Sequence, residues 1–191
     1  MPSEQSYRKR TMTQPIQQLT DEHGRIRGML SCFEAQLDRF ERAERPDYEI
    51  LEGSIAYCQE YLDRWHHPRE DALLELLQRR APPEAGACAE LEEQHLRLAR
   101  TTGEVVKVFE EVERDAEYSR ARLVEMGRIL VDDYRRHLDW EEANFFPALR
   151  GHLLPEDWRE IAPRFADASD PLTQSPIDQR YRILFSALDE P

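Results

Sequence analysis

Two copies of one pattern, a histidine followed four residues later by a glutamate, stand about 70 residues apart: His66-His67-Pro68-Arg69-Glu70 and His137-Leu138-Asp139-Trp140-Glu141. Residues four apart on a helix lie one turn above each other on the same face. Each copy therefore aims an imidazole and a carboxylate at one point. Nitrogen and oxygen donors without thiolate suit iron or manganese, with zinc as an alternative. Two lone histidines, His23 and His95, fall on two other stretches of helical periodicity. Four helices that each bring such a donor inward are what a dinuclear metal site in a bundle core requires.

The elements that must position these groups are legible in the apolar seams. Ile16, Leu19, His23, Ile26, Leu30, Phe33, Leu37 and Phe40 step by three and four along a first helix. It ends near Pro46, and Asp47 is placed to cap the next. The second helix runs on Leu51, Ile55, Cys58, Leu62, His66, Glu70, Leu73 and Leu77 and stops before Pro82-Pro83. Pro68 lies inside it and predicts a kink, because it removes a backbone donor. The third runs on Cys88, Leu91, His95, Leu98, Thr102, Val105, Phe109 and Val112. The fourth runs on Leu123, Met126, Leu130, Tyr134, His137, Glu141, Phe145 and Ala148 and ends at Gly151, with the break before it between Arg114 and Tyr118.

The expected fold is all-α: an up-down-up-down four-helix bundle with short C-terminal helices. Residues 1–12 read as a disordered tail, 13–151 as the bundle and 152–191 as a helical appendage. In the appendage, Pro155 to Phe165 and Pro176 to Leu188 predict helices around an Asp-, Ser- and Pro-containing loop. The last helix is expected to cover its own bundle, with a homodimer as the other option.

His23, His66, Glu70, His95, His137 and Glu141 occupy positions where the seams otherwise call for Leu, Ile or Phe. A buried, unpaired carboxylate costs several kcal/mol, so cations among the six would relieve them. Their heights agree. Twelve residues separate Glu70 from Pro82, and twelve separate Pro83 from His95. Two octahedral metals offer about twelve positions, of which two bridging carboxylates, four imidazoles and one oxo or hydroxo bridge fill about ten. The remainder is room for water, dioxygen, nitric oxide or peroxide. His67 is expected at the site's edge or in solvent, and His152 on the surface.

The net charge of -13, with Lys9 and Lys107 the only lysines, argues against nucleic acid or anionic membrane as a partner. No stretch is apolar enough to span a bilayer, and no signal-peptide core follows Met1. Cys32, Cys58 and Cys88 have no CxxC spacing and read as reduced thiols of a cytoplasmic protein.

The motifs together resemble the hemerythrin-like, HHE cation-binding proteins. The matching text is Asp21-Glu22-His23, Trp65-His66-His67-Pro68-Arg69-Glu70-Asp71, Leu91-Glu92-Glu93-Gln94-His95 and His137-Leu138-Asp139-Trp140-Glu141-Glu142, with Pro155-Glu156-Asp157-Trp158 and Asp170-Pro171-Leu172 in the tail. It spans about residues 14 to 173. The resemblance implies a non-heme di-iron centre on the six residues named, with Glu70 and Glu141 bridging. It also implies, for oxygen carriers, a further histidine one turn beyond the third-helix ligand. Here that position is Ala99, and the sequence offers no evident replacement beyond an approach by Tyr134 or water. That departure favours a reactive or sensing centre for oxygen, nitric oxide or peroxide over a simple carrier. The alternatives are a di-iron enzyme, peroxidase-like or donating iron to damaged iron–sulfur clusters, and an iron-storage or structural metal module.

Overall fold

Ile16, Leu19, Ile26, Leu30, Phe33 and Leu37 keep one face of α1 (Glu4–Glu41) buried, as their spacing of three and four residues dictates. The computed structural model describes residues 4–113, 117–166, 170–174 and 176–189, and among these every regular element is helical. Of the stretch 1–12 expected as a tail, residues 1–3 lie outside the described residues and α1 begins at Glu4.

The second helical run is built in three pieces: α2 (Tyr48–Tyr57), a π-helical segment (Cys58–His66) and α3 (His67–Arg80). Asp47 caps α2, its carboxylate accepting from the Glu49 N–H at 3.0 Å. A short helix, α4 (Pro82–Ala87), fills the turn and opens on prolines, which tolerate a first helical position. The third run, α5 (Leu91–Glu113), therefore starts at Leu91, not at Cys88, which caps α4. The fourth run is α6 (Glu117–Trp140), a second π segment (Glu141–Phe145) and α7 (Phe146–His152). It ends at His152, one residue past the expected Gly151. The break between α5 and α6 includes residues 114–116, outside the described residues.

The expected kink at Pro68 is instead a widened turn. Pro68 lacks an N–H, and its ring crowds the carbonyl four residues back. The preceding residue, His67, bonds five back, to the Leu62 carbonyl. The same thing happens at Pro147, where the Phe146 N–H reaches the Glu141 carbonyl. Both π segments thus end two residues before a proline, and both adjoin site residues, where such turns are common.

α1 packs on α6, α6 on α5, α5 on the first π segment, and α2 on α1. The apolar interior is not continuous. One cluster holds Ile26, Leu30, Leu62, Leu98, Leu130 and Leu138; a second holds Leu19, Leu73, Leu91, Phe145 and Phe146. On each of the four runs the change from one cluster to the other falls at the candidate site residues. A polar layer crosses the core there.

The C-terminal residues pack on their own chain. α8 (Pro155–Ala166) lies on α1 and α3, with Asp157 accepting two hydrogen bonds from Arg80 at 3.0 and 2.9 Å. Asp170 accepts from Arg25 at 2.5 Å and from the Tyr57 hydroxyl at 3.1 Å, fastening the loop. The last expected helix begins later than Pro176, with a 3-10 turn (Gln179–Tyr181) before α9 (Arg182–Asp189). α9 lies on α1 and α2, where Gly28 and Gly53 admit it: a Cβ on Gly53 would sit 3.1 Å from the Arg180 carbonyl. No described helix is long and apolar enough to cross a membrane.

Candidate metal centre

The six seam residues converge. His23, His66, Glu70 and Glu141 form one group with donor atoms within 4.8 Å of one another, and Glu70, His95, His137 and Glu141 form a second. Glu70 and Glu141 belong to both. Glu70 turns Oε1 toward Nε2 of His23 and His66, at 3.6 and 3.4 Å, and Oε2 toward Nε2 of His95 at 3.5 Å. Glu141 turns Oε2 toward His23 at 3.4 Å, and Oε1 toward His95 and His137 at 3.6 and 3.4 Å. Each carboxylate therefore spans the two half-sites, one oxygen to each.

These spacings are long for hydrogen bonds but ordinary for donors around a shared cation: two atoms each about 2.1 Å from a metal lie roughly 3.0 Å apart at a right angle and roughly 3.4 Å apart at a tetrahedral one. The donor inventory agrees. Nε2 of His23, His66, His95 and His137, and both oxygens of Glu70 and Glu141, are buried without a hydrogen-bond partner. Orphaned polar atoms cost about 1–3 kcal/mol each, and eight at one place are otherwise hard to sustain. The residues fit a pair of cations.

The opposite nitrogen of every one of these histidines is held from a neighbouring helix. Nδ1 of His66 donates to Glu22 at 2.7 Å, that of His95 to Asp71 at 2.8 Å, that of His137 to the Gln94 carbonyl at 3.0 Å, and that of His23 to Glu142 at 2.8 Å. An ionised carboxylate or an amide oxygen only accepts, so Nδ1 carries a proton and Nε2 is the nitrogen turned inward, free to ligate once it has none. The supports close a ring. Glu22 on α1 serves the second run, Asp71 the third, Gln94 the fourth, and Glu142 returns to α1. Two are braced in turn: Arg69 donates to Glu22 at 2.6 Å and Arg27 to Glu142 at 2.7 Å. Glu22, Asp71, Gln94 and Glu142 were not among the expected site residues. Each is the chain neighbour of one that was, and that adjacency is the signal that could have found them.

Burial and mutual charge set the protonation of the metal-free site. Burial and the nearby Glu141 push Glu70 up to about 8. Glu141 goes the other way: burial opposes its charge, but His137, His23 and His95 hold it well below the usual carboxylate range. Burial also opposes charge on His23, yet Glu141 and Glu70 raise it to about 10; for His95, Asp71 and Glu141 outweigh burial and raise it to about 10. Burial lowers His66 to about 4 and His137 well below its ordinary value. Glu22 falls to about 2, because His66 and Arg69 outweigh its burial.

His67 departs from expectation. It is 3% exposed, not in solvent, and its ring stacks on His95 with centroids 4.3 Å apart. A ring nitrogen of His67 lies within 4.8 Å of nitrogens of His95 and His137. Tyr134 stands behind it, ring centroids 6.2 Å apart, its buried hydroxyl beside Thr102 and Cys58. His152 is on the surface, as expected, 3.7 Å from Glu84. Cys58 and Cys88 are buried core thiols and Cys32 is half-buried; none belongs to a candidate metal group among the described residues.

The model of the hemerythrin HHE cation-binding domain matches residues 14–149, a span that contains all six seam residues and all four supports. No curated protein and no solved structure matches the chain.

Proposed function

The chain belongs to the hemerythrin HHE cation-binding family, and from that premise we propose that it is a non-heme di-iron protein that binds or reacts with oxygen, nitric oxide or peroxide in sensing or stress response. His23 and His66 would hold one iron, His95 and His137 the other, and Glu70 and Glu141 would serve both. The observation that carries this reading is the set of eight buried donor atoms without partners, shared between two half-sites by two carboxylates. Iron bound there supplies redox chemistry and affinity for small ligands.

The protein's own residues prepare that chemistry. The ring of Glu22, Asp71, Gln94 and Glu142 fixes each imidazole's tautomer and orientation. The two apolar clusters on either side keep bulk water from the carboxylates. An up-down-up-down bundle is part of the proposal, and the ring supports it. The support precedes the site residue on α1 (Glu22, His23), follows it on the second run (Glu70, Asp71), precedes it on α5 (Gln94, His95) and follows it on the fourth (Glu141, Glu142). One step backward on a rising helix turns in the same sense as one step forward on a descending one, so alternating directions produce this alternation. Three unpaired thiols favour a reducing, cytoplasmic setting.

Metal analysis with a visible spectrum tests the proposal. Two irons per chain with a charge-transfer band of a bridged ferric pair are expected from aerobically purified protein. One zinc and no iron would contradict it.

A further inference from the structure

The histidine at position 67 is buried and stacked on His95, and one of its ring nitrogens lies within 4.8 Å of ring nitrogens of His95 and His137. We propose that His67 is a third imidazole ligand of the metal position made by His95, His137, Glu70 and Glu141, so that the two metals are inequivalent. This rests on the two-metal reading above and deepens it.

The ring geometry is the first support. Imidazoles bound side by side at about 2.1 Å on one octahedral metal put their ring centres roughly 4.6 Å apart. The three rings stand 4.3 Å (His67 to His95), 4.9 Å (His95 to His137) and 5.6 Å (His67 to His137) apart. Their nitrogens form one group within 4.8 Å. On the other side of the carboxylates, His23 and His66 are 5.4 Å apart, and no third histidine joins their group among the described residues.

The backbone is the second support. Successive residues on a helix point about 100° apart. With His66 directed at the α1 side, His67 faces α5, against which this π segment packs. The π turn that ends at His66, set by Pro68, fixes that division. The third support is the opposite nitrogen. Nδ1 of His67 stands 3.5 Å from Asp63 Oδ1, one turn back, and that oxygen is buried with no other partner. An acid thus stands behind His67 as one does behind His23, His66 and His95, at a longer spacing and from its own helical run.

The consequence is a site with three histidines on one metal and two on the other.

Anaerobic cobalt(II) titration of the full chain, followed by metal analysis and the visible ligand-field spectrum, tests the assignment. His67→Ala removes the ring; His67→Phe keeps the stack on His95 without a nitrogen. Removing even an outer partner of a metal ligand costs 10–100-fold in affinity, so both variants should bind one of two cobalts at least about 10-fold more weakly, with a changed spectrum. Added imidazole should restore the spectrum of His67→Ala. Wild-type affinity and an unchanged spectrum in both variants, while wild type binds two cobalts, would overturn the His67 assignment alone. Wild type that binds fewer than two would overturn the two-metal reading and the assignment with it.

Discussion

Glu22 accepts a hydrogen bond from Nδ1 of His66 at 2.7 Å, although the two stand on different helices and Glu22 is the chain neighbour of His23. The same crossing recurs three more times around the core, through Asp71, Gln94 and Glu142. Each helix thus orients the imidazole of the next while supplying its own donor. The ring makes position and tautomer collective properties of the four helices.

Breaking the ring at its half-buried members, Asp71 and Glu142, should therefore weaken metal binding without unfolding the protein. Asp71→Ala and Glu142→Ala, which remove the acceptor altogether, are each expected to lower metal affinity about 10–100-fold, as read by competition with a chelator. Circular dichroism of the metal-free variants should match wild type. Unchanged affinity in both would mean that the hydrogen bonds to His95 and His23 do not prepare them for metal.

Metal uptake should displace protons. In the metal-free site His23 and His95 sit at about 10 and Glu70 at about 8, each above pH 7, while His66, His137 and Glu141 have already lost theirs. One proton each from the first three gives about three released per metal pair at neutral pH, and affinity should rise as pH rises. Calorimetry in two buffers of different ionisation enthalpy measures the number. Uptake that releases no protons, or tightens on acidification, would count against this charge distribution.

Glu22 should mark the acid limb of stability. Its folded pKa of about 2, against an ordinary 4.5, corresponds to about 3 kcal/mol. For a depressed carboxyl that contribution is present above pH 4.5 and is lost as pH falls through about 2. Denaturant unfolding of metal-free protein between pH 5 and 2 should therefore show a steeper loss in wild type than in Glu22→Gln. Glu22→Gln should already be weaker at pH 7, since it leaves the buried Arg69 guanidinium without its carboxylate. Parallel pH curves for the two proteins would contradict the assignment.

Pro68 should trade helix stability for site geometry. Pro68→Ala returns an N–H and removes the ring clash, a change of roughly 3 kcal/mol in a helix interior. The metal-free variant is expected to melt higher than wild type. Its second run should close to ordinary α-helix and turn His66 and His67 away from their present directions, with loss of metal affinity. A variant that binds metal as wild type does would show that the π turn is not what aims these histidines.

What could be read from sequence follows from what acts locally. Polar residues at seam spacing, such as His23 between Leu19 and Ile26, stand out on a single helix, and so does the Asp47 cap. His67 was expected at the edge of the site or in solvent because it lies one residue off the seam; its burial is set by α5 and α6, which a reading of one helix does not contain. For the same reason Ala99 suggested a site short of one histidine, while a ring from the neighbouring helix lies stacked on His95. Pro68 alone predicts a kink when proline's effect is followed only to the lost donor; the π turn follows from the bond that His67 makes five residues back. The supports were missed singly because each serves a helix other than its own.

The central claim is that Glu70 and Glu141 hold two irons close enough to share both carboxylates. Electron paramagnetic resonance of the aerobically purified, iron-loaded protein, with iron quantified in the same sample, tests it most directly. A bridged pair of ferric ions couples its spins, so two irons per chain with almost no ferric signal is the predicted result. An isolated high-spin ferric signal that accounts for all the iron would contradict it.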